Sequence, residues 1–113
     1  MSNEAPEAYA YSGPEELRAA VFGALSQVVD PEVAMNIVDV GLVYGVSVAD
    51  EVLRVVMTMT SAACPVADVI VEDVEAELER IAPPATRVEV EIVWEPPWST
   101  ERMSPRAKQF MGW

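Results

Sequence analysis

An α+β sandwich is the fold this sequence predicts, with two helices on one face of a small mixed sheet and a short helix near the C-terminal end. Three observations carry the prediction. Apolar residues recur at helical spacing in two stretches, 17–28 and 67–81. β-Branched and apolar residues fill 42–48 and alternate faces along 52–60 and 87–94. Turn and breaker residues separate these stretches in the order α-β-β-α-β. The 113 residues suit one domain. A composition of 51% hydrophobic and 23% charged residues is that of a globular chain rather than a disordered one.

Residues 1–11 are rich in Ala, Glu and Pro without periodicity, and read as a flexible acidic tail ahead of a single domain, 12–113. Ser12 and Glu15 fit a capping box, and Gly13-Pro14 equally fits a cap and first turn. Leu17, Ala20, Val21, Ala24, Leu25 and Val28 share one helix stripe. Asp30-Pro31 ends it, because a residue before proline avoids helical angles. Residues 31–41 read as a loop carrying Asp39. Leu42–Val48 and Val52–Thr60 form a hairpin through Ala49-Asp50-Glu51. Leu53, Val55, Met57 and Met59 face one way, and Arg54, Val56, Thr58 and Thr60 the other. A second helix begins at Pro65, with Ala67, Ile70, Val71, Val74, Leu78 and Ile81 on its apolar side and a solvated acidic face from Asp68 to Glu79. Pro83-Pro84 stops it. In the last strand Val88, Val90, Ile92 and Trp94 oppose Arg87, Glu89 and Glu91. Glu95-Pro96-Pro97-Trp98 is then extended, and Ser104-Pro105 opens a short helix ending near Phe110. Trp94, Trp98 and Trp113, with Arg102, Arg106 and Lys108, give this last stretch an aromatic weight that a solvated tail does not need. The segment 95–113 is expected to dock on its own domain or on a partner subunit.

Seven basic against 19 acidic residues give a net charge of −12, which disfavours nucleic acid as a partner. No apolar run approaches the roughly 18 residues of a membrane span. The first residues lack both the basic and the apolar parts of a secretory signal, so a cytoplasmic protein is expected. The absence of His removes the Ser-His-Asp triad, the Cys-His pair and every His-bearing metal site. One cysteine, Cys64, excludes an internal disulfide, a CxxC redox pair and a zinc knuckle. An enzyme is not expected. A thiol peroxidase or reductase in particular lacks both a resolving cysteine and a histidine.

Cys64 falls just before Pro65, at the N-terminus of the expected helix, where free N–H groups and the macrodipole favour a thiolate. Asp68 and the anionic domain oppose this, but solvated charges are screened over about 8 Å while the N–H groups act at contact. A free cysteine also serves as a small buried hydrophobe, and spacing alone leaves both readings open. Asp30 and Glu32 flank Pro31. They read either as turn chemistry or as carboxylates placed for a ligand, a metal or a backbone clamp, with Asp30 at the unfavourable C-terminal end of a helix. Thr58 and Thr60 are good strand formers; their hydroxyls are also placed to fix the Ser61-Ala62-Ala63 loop. Met35, Met57 and Met59 read as core filler rather than soft metal ligands.

Four motifs in order carry a resemblance. Asp30-Pro31-Glu32, Ile37-Val38-Asp39-Val40-Gly41-Leu42-Val43-Tyr44, Thr58-Met59-Thr60-Ser61-Ala62-Ala63-Cys64-Pro65, and Pro96-Pro97-Trp98 with Arg102-Met103-Ser104 together resemble the small iron–sulfur assembly factors of the SufT and PaaD-like group. The likeness runs over about residues 14–113. It implies an α+β fold, usually dimeric, and a role in maturing iron–sulfur proteins as carrier, adaptor or late assembly factor. Cys64 corresponds to the family's reactive cysteine, and Asp30 and Glu32 to its acidic motif, with Asp39, Thr58 and Thr60 as supporting residues. Trp98, Arg102 and Trp113 are the expected partner-docking residues. Ala62-Ala63 stands where the family commonly has Pro-Gly. The cysteine-rich C-terminal segment of PaaD-type members is not in this sequence, which points to the SufT-like branch. A cluster usually takes about four thiolates, and a monomer offers one and a dimer two. The expected cofactor is therefore iron or an iron–sulfur cluster held transiently at Cys64, and the expected partners are assembly proteins, client apoproteins and a second copy. A cofactor-free adaptor working through the Trp-rich segment is the alternative.

Overall fold

A computed structural model describes residues 9–31, 33–60 and 67–112. In chain order they form β1 (Ala10–Ser12), α1 (Glu15–Leu25), β2 (Val29–Asp30), β3 (Met35–Asn36), α2 (Ile37–Val40), β4 (Val43–Ala49), β5 (Val52–Met57), α3 (Ala67–Ile81) and β6 (Arg87–Ile92). A 3₁₀ turn (Thr100–Arg102) and α4 (Pro105–Met111) follow. One mixed sheet has the order β1-β4-β5-β6. β4 and β5 form the expected hairpin, turning through Asp50 and Glu51 at φ 54° and 64°, the positive values that match a tight turn to strand twist. β5 and β6 are parallel, so the chain must cross between them, and α3 is that crossover.

Alternation decides which face is covered. Leu53, Val55 and Met57 of β5 are fully buried, as are Val21 and Leu25 of α1 and Ile70, Val74 and Leu78 of α3. α1 packs on α3, and α3 on β6. The other sheet face is polar: Arg54 bonds Glu89 at 3.0 Å and Glu91 at 2.9 Å, and Arg87 bonds Glu89 at 2.7 Å. The Arg87 hydrogen bond is the main cause that holds the Glu89 carboxyl below its usual range, aided by the charges of Arg87 and Arg54 against some desolvation. Solvent-exposed pairs of this kind add little to stability. A register shift lies between Val43, opposite Met57, and Gly45, opposite Val56. Tyr44 is the extra residue, so Val43 and Val46 are both buried although three positions apart.

Several expectations are corrected. The expected tail reaches into the sheet: Tyr9 is buried, and β1 pairs in parallel with β4 through Ala10↔Gly45, Tyr11↔Val46 and Ser12↔Ser47. Main-chain bonds to an open β4 edge outweigh the weak strand propensity of these residues; residues 1–8 lie outside the described ones. α1 starts from Pro14 without a side-chain cap, and Glu15 pairs with Arg18 at 2.8 Å instead of closing a capping box. The helix ends at Leu25, and Val28 is buried beyond it. Asp30 is therefore in β2, opposite Met35, and not at a helix C-terminus. Residues 31–41 are not simply a loop, because they contain β3 and α2. β5 ends at Met57, and Thr58 just beyond it is fully buried, unlike the exposed Arg54 with which the alternation groups it. β6 ends at Ile92, where its pairing with β5 runs out, and leaves Trp94 47% exposed.

Candidate functional site

Among the described residues, those of the motifs converge on α2. Asn36 caps it: its side-chain oxygen accepts from the Asp39 N–H at 2.9 Å, and Gly41 closes the other end at φ 87°. Upstream, the β2–β3 hairpin holds Asp30, which is 1% exposed. Its main-chain carbonyl accepts from Val33 at 3.2 Å and Ala34 at 2.8 Å, in a turn that puts Ala34 at φ 58°. The Ile37 N–H donates to Val28 at 2.9 Å and ties this hairpin to the end of α1.

Downstream, the Thr58 N–H donates to the Leu42 carbonyl at 2.8 Å. The start of β4 thus fixes the end of β5. The Thr58 hydroxyl is buried with no hydrogen-bond partner among the described residues. Thr60 is half-buried and is the last described residue before 61–66. Cys64 lies in that stretch, and Cys64, Glu32 and Trp113 all fall outside the described residues. Among the described residues no group of three or more His, Cys, Asp or Glu is placed to hold a metal ion.

On its other side α2 receives the C-terminal segment. The Asp39 carboxylate accepts from Asn36 at 2.8 Å and pairs with Arg106 at 3.0 Å, while its main-chain carbonyl accepts from the Ser104 N–H at 2.8 Å. The Trp98 indole N–H donates to the Val40 carbonyl at 2.8 Å. Arg102 lies 4.2 Å over the Tyr44 ring, and the Tyr44 hydroxyl donates to the Pro96 carbonyl at 2.7 Å. Met103 and Ala107 enter the core, and Ser104 caps α4 by accepting from Ala107 at 3.0 Å. The aromatic segment therefore docks on its own domain. The indole N–H of Trp98 and the guanidinium of Arg102 already have contacts within the chain. A groove of about 750 Å³ runs between α1 and this segment, with Tyr11, Phe22, Val38, Arg102, Met103 and Pro105 in its walls.

Asp30, Asp39 and Thr58 thus all border the β3–α2–β4 stretch. Asp39 acts there as a tether for α4. Sequence reading passed over Asn36 and gave no site role to Gly41, Tyr44 or Arg106. Asn36 and Gly41 were legible as a cap and a stop around Ile37–Val40. The bulge that aims Tyr44 and the tertiary pair Asp39–Arg106 leave no local signal.

The model of the iron–sulfur cluster assembly protein family matches residues 18–92, from within α1 to the end of β6. The chain is 44% identical over 99 residues to the Fe-S protein maturation auxiliary factor YitW of Bacillus subtilis, covering 87% of this chain and 96% of that protein. It is 46% identical over 86 residues to the Fe-S protein maturation auxiliary factor SufT of Staphylococcus aureus, covering 75% and 97%. A crystal structure of a domain of unknown function from Bacillus anthracis matches with a TM-score of 0.80 at 42% identity, over 87% of this chain and 93% of that one.

Proposed function

The chain belongs to the iron–sulfur cluster assembly protein family and acts in the maturation of iron–sulfur proteins, and we propose that it does so by carrying iron or a cluster transiently on Cys64 to client apoproteins. The observation that carries this reading is the anchoring of Thr58. A buried threonine at the end of β5, pinned to Leu42, leads into the stretch that holds the chain's only cysteine. Iron or cluster is cargo here. One thiolate per chain falls short of the four a stable cluster usually takes, so external thiols or a second copy must complete the shell. A shell completed in that way releases its cargo readily, as transfer requires. Asp30 and Glu32 shape the surroundings of Cys64 or fill an open coordination position, and Thr58 and Thr60 steady the loop. The reading needs no catalysis and places the protein in the cytoplasm. No helix of the described residues is long and apolar enough to cross a membrane.

The test is an anaerobic titration with ferrous iron and sulfide, followed by absorption, on wild type and Cys64→Ala. The wild type is expected to bind iron with sulfur-to-iron charge-transfer bands, and the variant to fall to background. Iron uptake by neither protein, or equally by both, overturns the reading. Thr58→Val tests the loop anchor. The hydroxyl has no partner among the described residues, and on this reading it bonds the 61–66 stretch, so the variant is expected to lose about 1–2 kcal/mol in urea denaturation. An unchanged midpoint would mean that the hydroxyl holds nothing.

A further inference from the structure

β6 is an edge strand, and its outer side is unfinished. In a parallel ladder the N–H and C=O of one residue point to the same side, and successive residues alternate. The Arg87 N–H donates to Glu51 at 2.9 Å and the Val93 N–H to Met57 at 2.8 Å. Arg87, Glu89, Glu91 and Val93 therefore turn toward β5, and Val88, Val90 and Ile92 turn their main-chain groups outward, where they meet no partner among the described residues. Burial agrees with this. Leu53, Val55 and Met57 are each 0% exposed, whereas their register partners Val88, Val90 and Ile92 are only half-buried. Trp94 extends the apolar margin past the strand end. The opposite edge, β1, is three residues long and offers far less.

We propose that the β6 edge accepts an extended segment of a partner protein as a fifth strand, and that this segment alternates basic and apolar side chains. Open edges are templates for such addition, with main-chain bonds supplying affinity and alternate side chains specificity. Apolar residues of the added strand complete the cover over Val88, Val90 and Ile92. Its other face lies beside Glu89 and Glu91, of which Glu91 has one guanidinium partner, Arg54. The surroundings favour cations, since α3 exposes Asp68, Glu72, Asp73 and Glu79, Glu95 follows the strand, and the chain carries −12. A second copy fits poorly. It brings the same charge, and the antiparallel register that engages all three outward residues centres on Val90 and sets Glu89 opposite Glu91 twice. The residues that form this edge, 87–94, do not include Cys64.

The experiment uses the full ¹⁵N-labelled chain and a blocked hexapeptide of alternating lysine and valine, followed by NMR and amide exchange. The Val88, Val90 and Ile92 amides are expected to shift and to exchange about tenfold more slowly at saturation. A glutamate–valine counterpart should leave them unchanged. N-methylation of the alternate peptide amides that face β6 should weaken binding about tenfold, and methylation of the other set should not. Equal binding of the acidic peptide, insensitivity to methylation, or shifts confined to Phe22, Arg102 and Met103 in the groove would each overturn the proposal. So would protection of the β6 amides that grows with protein concentration without peptide, because that identifies a second copy as the occupant.

Discussion

Gly41→Ala is expected to cost on the order of 3–5 kcal/mol and to lift the C-terminal segment from the domain. Two costs combine at this position. At φ 87° any β-carbon is strained, at about 1–3 kcal/mol. The added carbon would also collide with the Arg102 carbonyl oxygen and lie 2.6 Å from its carbonyl carbon and 2.8 Å from its Cβ. These are mostly backbone atoms that no rotamer change moves away, so the segment itself must shift. Its bonds to α2, from Trp98 to Val40, Ser104 to Asp39 and Arg106 to Asp39, then lengthen or break. Gly112→Ala is the control: φ is similar at 79°, but nothing among the described residues lies within 4 Å of the added carbon, so only the strain is felt. Urea denaturation of the two variants, with tryptophan fluorescence as the probe, separates collision from strain. Equal losses in both would mean that the close approach of Arg102 to Gly41 does not matter.

What made the main elements legible was periodicity. The acidic and apolar faces of α3, the alternation along β5 and the proline stop before β6 each repeat often enough to decide an element locally. Elements of two to four residues cannot do so. β2 and β3 hold two residues each and α2 four, so their existence rests on pairing and capping that only the assembled fold supplies. β1 was hidden for a related reason: Ala-Tyr-Ser has little strand character until β4 offers it an edge. That Thr58 is covered was not legible, because alternation tells which residues share a face and not what packs over them. For the site, the motif order marked Asp30, Asp39 and Thr58. That α2 links them to Trp98, 58 positions beyond Val40, was not readable, since an indole bonded to a distant carbonyl leaves no trace in local spacing.

The α2 junction also changes how the adaptor alternative must be tested, because truncation to residues 1–95 is expected to leave a strongly destabilised domain rather than an intact bare one. Met103 is 4% exposed and Ala107 0%, while Trp98 is half-buried over α2. Removing them uncovers core, and each large apolar side chain contributes roughly 1.5–3 kcal/mol of burial. Such a loss, on the order of 4 kcal/mol, takes a large share of the 5–15 kcal/mol typical of a domain. At about 4–8 °C per kcal/mol, the melting midpoint should fall by on the order of 20 °C. Lost client capture in that protein would not separate lost stability from a missing docking surface. Phe110 supplies the clean probe. It lies on α4 and is 69% exposed, so Phe110→Ala should change stability by less than about 0.5 kcal/mol. Cargo carriage on Cys64 predicts that this variant keeps both its iron uptake and its client maturation. Loss of maturation with fold and iron uptake intact would instead place the working surface on α4 and make the adaptor role primary.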